Sequence, residues 1–216
     1  MTATAQPDTD GRSHGKLRRP LVVAGAVVAV LAVAITALAV LGRSHDLSRP
    51  PYADAASTGL LTLCGKDGKP VTRGSVEAAA PIWRAVGATA VTTTRNSSAT
   101  LYAYQPRNGV PAAQWGGEMI TAPSSFTNAR HPMAQATNAD IALKDFLAAY
   151  PTSWKGTVQL RLYVGSAAAG VQTRHYDTAD LAVSGSTWKV LKAGNGSCTD
   201  GSATSLETLT GVAGAS

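Results

Sequence analysis

The side chains that could carry out catalysis are few and lie far apart along the chain. Hydrolysis through a nucleophile needs a serine or cysteine, a base, and an acid that orients the base. His131 and His175 are the candidate bases. The stretch nearest to the Gly-x-Ser-x-Gly motif, residues 194–198 (GNGSC), breaks that motif at its last position. The sequence therefore assigns no catalytic residue, and we expect a protein that is not an enzyme.

Metal and nucleotide sites find equally little support in the sequence. His131 and Met133 are two ligands for a soft ion, and Asp177 and Asp180 are two for calcium, but both kinds of site need more ligands than this. No glycine-rich loop precedes a predicted helix, which excludes a phosphate-cradling nucleotide site. We predict neither a metal nor a cofactor.

Aromatic side chains offer the best candidates for recognition. Trp115 lies in a glycine-rich segment, and Tyr102 and Tyr104 alternate along a predicted strand. An exposed tryptophan beside either tyrosine could stack on a sugar ring or anchor a protein partner. The alternative is that Trp115 folds back onto its own domain. Trp188, within a predicted hairpin, is the best candidate for a core tryptophan.

Residues 21–41 (LVVAGAVVAVLAVAITALAVL) carry no charge. A helix of this length spans roughly 32 Å, close to the hydrocarbon thickness of a bilayer. Four basic residues precede the run: Arg12, Lys16, Arg18 and Arg19. Because Lys and Arg stay preferentially on the cytoplasmic side, we expect a single-pass signal anchor with its N-terminus inside and the remainder outside. The alternative is a signal peptide cleaved after Ala37-Leu38-Ala39.

The two cysteines, Cys64 and Cys198, bracket most of the segment that is expected outside the cytoplasm. Disulfides persist in that compartment, and neither cysteine has a CxxC neighbour or a nearby histidine that would suggest a metal site. The sequence therefore predicts a Cys64–Cys198 disulfide.

The charge of the chain limits its partners. It has 19 Lys and Arg against 13 Asp and Glu, a formal net charge of +6. The basic residues are scattered singly and do not alternate with aromatic residues, so nucleic-acid binding is not expected. The partners that fit are membrane lipid around residues 21–41, and an envelope protein or an anionic cell-wall polymer outside.

Composition divides the chain into five segments. We predict a disordered cytoplasmic stub over 1–20, a transmembrane helix over 21–41, and a juxtamembrane spacer over 42–58. A single domain follows over 59–198, and a disordered tail over 199–216.

Alternation of apolar and polar residues is the main pattern within 59–198. Residues 158–164 alternate cleanly and predict a strand with one face in the core. Residues 181–190 predict a hairpin with glycine in its turn, and 59–64 with 71–76 predict another. Further strands are expected over 88–94, 118–122 and 171–176. Residues 140–150 have helical spacing, with Asn138 as a candidate cap and Pro151 as the stop.

Many short strands with one short helix favour an antiparallel β-sandwich. The segment 59–64 (GLLTLC) followed by 67–74 (DGKPVTRG) resembles the opening hairpin of bacterial immunoglobulin-like surface domains. The layout of stub, span, spacer and Cys-bracketed β domain resembles uncharacterised actinobacterial single-pass membrane proteins. These resemblances imply a fold and a location but no activity. The antibody-type pattern of two sheet-linking cysteines around a core tryptophan is not met, because Cys64 and Cys198 are too far apart in sequence.

The sequence therefore predicts a single-pass membrane protein that displays an immunoglobulin-like β-sandwich outside the cell. The expected function is a binding or structural module of the cell envelope, with Trp115, Tyr102 and Tyr104 as candidate contact residues. One alternative is an envelope hydrolase or redox enzyme whose residues converge only in the fold. Another is a domain that binds cell-wall carbohydrate.

Overall fold

The computed structural model describes residues 47–80 and 82–206. The predicted cytoplasmic stub, the apolar run at 21–41 and most of the predicted tail lie outside these residues. Within the described part, no helix is long and apolar enough to cross a bilayer. The transmembrane helix at 21–41 therefore stays a prediction.

The described residues are mainly β, as predicted, with one short α-helix and one 3-10 turn. The helix, α1, spans Leu143–Ala149, and the 3-10 turn spans Ala112–Gln114. The strands are β1 Ser57–Leu60, β2 Thr62–Cys64, β3 Arg73–Ser75, β4 Arg84–Val86, β5 Ser97–Gln105, β6 Gly116–Met119, β7 Ser124–Phe126, β8 Met133–Gln135, β9 Thr157–Ser166, β10 Gly170–Val171, β11 Tyr176–Ser184, β12 Thr187–Lys192 and β13 Ala203–Ser205.

Two sheets organise these strands. The larger has the order β13-β7-β5-β9-β11-β12-β3, with β6, β10 and β1 paired to β5, β9 and β11. Its long central strands β5, β9, β11 and β12 are antiparallel neighbours, while β1 runs parallel to β11. The smaller sheet, β2-β4-β8, is also antiparallel. The fold is therefore an antiparallel β structure, with one parallel edge pairing.

The core lies on one face of the large sheet, which we call the inner face. Pairing registers place apolar residues of the three central strands together there, including Leu101 on β5, Leu160 on β9 and Leu181 on β11. Phe146 from α1 and the side chains of the small sheet pack against them. Trp188 on β12 is 2 % exposed, which confirms the prediction that it is a core tryptophan.

The disulfide between Cys64 and Cys198 is present, with their Cα atoms 5.8 Å apart, and the prediction is confirmed. It joins the end of β2 to the segment that follows β12. Because the two cysteines are 134 positions apart, the bond restricts the unfolded chain over almost the whole domain.

Two further predictions are confirmed in their main features. Strands β11 and β12 form the expected hairpin, and Gly185 in its turn has a φ of 56°, a conformation that glycine adopts readily. The helix predicted over 140–150 is present as α1 and ends two residues before Pro151. The cap predicted at Asn138 is wrong, since the N-cap is Ala142 and makes no side-chain bond.

Other strand predictions are wrong in part or entirely. Residues 88–94 form no strand, because the amides of Ala88 and Thr89 donate to the Asp177 carboxylate instead of to a neighbouring strand. The expected hairpin of 59–64 with 71–76 forms only next to its turn, where Gly65 N bonds to Lys69 O. Beyond the turn its two strands diverge, because β2 pairs with β4 in the small sheet and β3 with β12 in the large one.

The folded part extends past both predicted domain boundaries. Strand β1 begins at Ser57, and β13 lies within the segment predicted as a tail. Residues 50–56, predicted as part of a spacer, contact the large sheet through the side chains of Tyr52 and Asp54. We call residues 50–56 the N-terminal strap.

Candidate functional site

The outer face of the large sheet, opposite the core, is covered by other parts of the chain. On β9 the inward residues alternate with three that point outward: Gln159, Arg161 and Tyr163. The sequence predicted that only the inward row would lie in the core, but all three outward residues are buried as well. The N-terminal strap and the segment around Ala112 cover Arg161 through direct contacts.

Neighbouring strands extend this outer face into a layer of polar and aromatic side chains. Arg161 pairs in register with Tyr102 on β5 and with Thr178 on β11. Gln159 pairs with Tyr104 and Asp180 on the same two strands. Because directly paired residues share a face of the sheet, the six side chains form one layer, which we call the polar layer.

Arg161 lies at the centre of the polar layer and is 2 % exposed. Its Nε donates to Gln159 Oε1 at 2.7 Å, and its Nη2 donates to the carbonyl oxygen of Ala112 at 2.9 Å. The Asp54 carboxylate from the N-terminal strap lies 3.6 Å from Nη2. A buried guanidinium is tolerated only when its charge and its N–H groups have partners, and these three groups provide them.

Aromatic rings surround the same guanidinium. The Arg161 Cζ lies 3.9 Å from the ring centroid of Tyr104, 4.6 Å from that of Tyr176, and 5.4 Å from that of Trp115. The negative faces of aromatic rings attract a cation at these distances. The rings therefore stabilise the buried charge and also fix the position of Arg161.

Asp54 connects the N-terminal strap to strand β11. Its Oδ2 accepts a hydrogen bond from the Tyr176 hydroxyl at 2.9 Å, and its Oδ1 accepts one from the amide of Ala56 at 3.1 Å. With the ion pair to Arg161, both carboxylate oxygens are engaged. The carboxylate therefore orients Arg161 and Tyr176.

A second link between the strap and the sheet involves Tyr52 and Asp180. The Tyr52 hydroxyl donates to Asp180 Oδ1 at 2.8 Å, and Gln159 Nε2 donates to the same oxygen at 3.2 Å. The Tyr52 ring packs 4.9 Å from Trp115 and 5.5 Å from Trp154, centroid to centroid. Burial raises the pKa of Asp180 above the ordinary carboxyl value, although these hydrogen bonds oppose the change.

Three tyrosines around the polar layer have raised pKa values. Burial is the main cause that raises the pKa of Tyr52, Tyr104 and Tyr176 above the usual phenol value. The Tyr163 hydroxyl donates to the Tyr104 hydroxyl at 3.1 Å, so the proton of Tyr104 is available for another acceptor. Each phenol is therefore a neutral hydrogen-bonding group.

A cleft of about 690 Å³ opens above this cluster, and we call it the tyrosine cleft. Its floor comprises Tyr104, Tyr163, Tyr176 and Arg161, and Arg174 lies at its exposed rim. Alanines of the N-terminal strap and of the 3-10 turn complete its walls. This volume lies within the range of small-molecule sites, roughly 300–1,000 Å³.

A second cleft, of about 410 Å³, includes the inward-facing residues Leu162, Val164 and Asp177. His175, Ser97 and Ser166 also line it. No hydrogen bond joins the histidine to the carboxylate or to either serine within the described residues. Asp177 instead accepts bonds from the amides of Ala88 and Thr89 and from the Thr89 hydroxyl. The carboxylate therefore holds a loop in place.

The three predicted contact residues lie close together. Trp115 is 6 % exposed, and its Nε1 donates to the carbonyl oxygen of Val110 at 2.9 Å. Tyr102 stacks with Tyr104, with centroids 6.4 Å apart, and both are partly exposed. Trp115 therefore supports the polar layer from within the domain, and only Tyr104 of the three lines the tyrosine cleft. A role for any of them in binding a ligand stays a prediction.

The other pairs considered from the sequence do not form sites. Met133 is buried in the core, and the partly buried His131 lies with Nδ1 3.2 Å from the carbonyl oxygen of Gly87. Asp177 and Asp180 lie on opposite faces of β11, since Asp177 pairs with inward Leu162. Among the residues that the structure describes, no three His, Cys, Asp or Glu side chains are arranged to hold a metal ion.

Sequence reasoning identified Tyr104 but missed the other residues that build the tyrosine cleft. It placed Arg161 and Tyr163 on the face of the strand away from the core, and Asp54 in a juxtamembrane spacer. A cation in the middle of a long strand, flanked by Gln159 and Tyr163, was the one available signal. Such a cation can be buried when other parts of the chain supply aromatic and acidic partners, so it indicated that another segment packs on this face.

Comparison of the chain with models of protein families, with curated proteins and with solved structures finds no match in any of the three. A function for this chain is therefore inferred from the geometry of its clefts.

Proposed function

We propose that this chain is a binding module of the cell envelope, held at the membrane by residues 21–41 with its N-terminus in the cytoplasm. The strands described above form an immunoglobulin-like β-sandwich displayed outside. The tyrosine cleft is the surface that meets the ligand or partner. The proposal combines the orientation expected from the basic N-terminus with the architecture of the outer face.

The tyrosine cleft is the observation that carries this function. Its acidic side chain, Asp54, is engaged by Arg161, Tyr176 and its own strap. Its tyrosines keep their protons, because burial raises the pKa of Tyr104 and Tyr176. The cleft therefore offers rigid rings and hydrogen-bond donors, the features of a recognition surface, and no activated base or nucleophile.

The disulfide supports a location outside the cytoplasm. Cys64 and Cys198 are bonded, and structural disulfides are rare in cytosolic proteins because glutathione and thioredoxin keep thiols reduced. This agrees with the orientation expected from the basic residues before position 21. Whole-cell protease treatment tests the orientation directly: the domain should be cleaved on intact cells, and full protection would contradict it.

Site-specific photo-crosslinking in living cells tests the binding role. A photoreactive amino acid replaces Ala113, an exposed residue at the edge of the tyrosine cleft. The matched control replaces Ser184, exposed at the far end of β11, eight residues and roughly 26 Å along the strand from Tyr176. We expect an adduct from position 113 and none from position 184. Equal yields at both positions, or no adduct at 113, would contradict the proposal.

The second cleft favours one alternative, an envelope hydrolase, because it places His175, Asp177 and two serines along one lining. The missing hydrogen bonds between them argue against an assembled triad. A fluorophosphonate probe, which labels activated serines, tests this alternative. Labelling of the membrane-bound protein that disappears in His175→Ala would establish a hydrolase. We expect no labelling.

A further inference from the structure

We propose that the tyrosine cleft binds an anionic saccharide, with its carboxylate or phosphate between Arg161 and Arg174 and its sugar ring against the tyrosines. This inference rests on the proposed function and identifies the class of ligand that the binding module takes.

Arg161 supplies the first contact for the anion. Its hydrogen bonds to the protein use only Nε and Nη2, so Nη1 makes none within the described residues. Arg161 lines the cleft although it is only 2 % exposed, and Nη1 is the N–H group that we assign to the anion.

Arg174 supplies the second contact from the rim of the cleft. It is exposed and makes no ion pair or hydrogen bond within the described part of the chain. The lining thus holds two guanidinium groups and one carboxylate, Asp54, a net charge of +1. Guanidinium groups bind carboxylates and phosphates in paired, planar hydrogen bonds, so this lining favours an anion.

The remainder of the lining fits a polar ring. The Tyr104 hydroxyl accepts a bond from Tyr163 and keeps its own proton for a sugar oxygen. Aromatic rings and alanine methyl groups form the surrounding wall, and such surfaces pack against the C–H faces of sugars. A ligand that is anionic but has no ring would leave this wall uncovered.

Binding measurements on the full chain in lipid nanodiscs test the ligand class. The probes are polygalacturonate, which carries carboxylates, poly(glycerol phosphate), which carries phosphodiesters but no sugar ring, and pullulan, a neutral polysaccharide. We expect polygalacturonate to bind more tightly than poly(glycerol phosphate), and pullulan to bind least. Arg174→Gln should weaken polygalacturonate binding by about 10-fold, because it removes a charge-assisted hydrogen bond.

Arg73→Gln is the matched control for charge. Arg73 is also exposed but lies on β3 at the edge of the large sheet, so its loss should change affinity by less than about 2-fold. Tyr104→Phe should weaken polygalacturonate by a smaller factor than Arg174→Gln, since it removes one neutral hydrogen bond. Circular dichroism verifies that each variant is folded.

Three outcomes would overturn the inference. Equal weakening by Arg174→Gln and Arg73→Gln would indicate general attraction to a basic surface. If pullulan bound as tightly as polygalacturonate, the negative charge of the ligand would not be needed for binding. No binding of any polymer, together with a protein adduct from position 113, would mean that the ligand is a protein. The last two results would contradict only the proposed ligand class, and the proposed function as a binding module would stand. Failure of the crosslinking experiment would contradict that proposed function.

Discussion

Arg161 and Asp180 are buried residues with ionisable side chains on the outer face of the large sheet, opposite the core. Removing either group from water is costly unless partners replace the lost hydration. For Arg161 the partners are Asp54, Gln159, the Ala112 carbonyl and three rings. For Asp180 they are the Tyr52 hydroxyl and the Gln159 amide. Gln159 therefore links the two charges through its two ends.

Asp180→Asn should change how stability depends on pH. Burial raises the pKa of Asp180 in the folded protein, Asp54 raises it further, and Lys192 and the two hydrogen bonds lower it. A carboxyl with a raised folded pKa stabilises the fold below its unfolded pKa of about 3.9, and this contribution is lost as pH rises through the folded value. The wild type should therefore lose this contribution as the pH rises above about 4.

Urea denaturation across this pH range measures the effect. Both donors bond to Oδ1 of Asp180, so the asparagine oxygen can accept both bonds while carrying no charge. The free energy of unfolding of Asp180→Asn should therefore decline less with rising pH than that of the wild type. Asp200→Asn, at an exposed position, is the control. Identical pH slopes for wild type and Asp180→Asn would show that Asp180 is not the group responsible.

Strand β9 illustrates what can be predicted for a single element. The alternation of Val158, Leu160 and Leu162 correctly placed a strand with its apolar row in the core. The hairpin of β11 and β12 and the helix α1 were also predictable, because their signals lie within a few neighbouring residues. The covering of the outward row was not, since Asp54 and Tyr52 come from more than 100 positions away.

The loop at 88–94 failed as a strand prediction for the same reason. Its valine and threonines favour a strand, but the carboxylate that organises its first residues lies 89 positions away, on β11. Residues so distant leave no local pattern. The same limit explains why Tyr104 is the one residue of the candidate site that could be predicted. Its strand was recognised from the local pattern, but its partners lie too far away in sequence.

Asp177→Ala should release this loop. The substitution removes the buried acceptor of the amides of Ala88 and Thr89, two residues that are themselves exposed. A hydrogen bond to a charged acceptor contributes about 1.5–3 kcal/mol, and water replaces part of this at exposed residues, so the free energy of unfolding should fall by about 2 kcal/mol. Hydrogen exchange at these two amides should accelerate far more than exchange in β9. Asp200→Ala is the matched control, and a loss below about 1 kcal/mol for Asp177→Ala would contradict the structural role.

At the scale of the whole molecule, the N-terminal strap is part of the domain. Tyr52 and Asp54 supply partners to two buried charged groups of the large sheet, although the sequence assigned both residues to a spacer. The strap also provides one wall of the tyrosine cleft. Any shortening of the chain that removes it should therefore affect both stability and the cleft.

Two truncated chains test the contribution of the strap. One begins at Leu47 and the other at Ser57, so both keep every strand and differ only in the strap and the residues just before it. Removing one partner of a buried ion pair costs about 3–5 kcal/mol. The chain from Ser57 should therefore unfold at a much lower urea concentration than the chain from Leu47. Equal unfolding midpoints would show that the strap is not needed for the fold.

The position of Tyr52 between two indoles gives the strap an optical signature. Its ring lies 4.9 Å from Trp115 and 5.5 Å from Trp154, a separation at which light absorbed by the phenol passes to the indoles before it is emitted. While the strap is in place, Tyr52 therefore emits little fluorescence of its own. Should the strap lift away, its emission would return near the blue edge of the spectrum, so intrinsic fluorescence reports on this segment without a label.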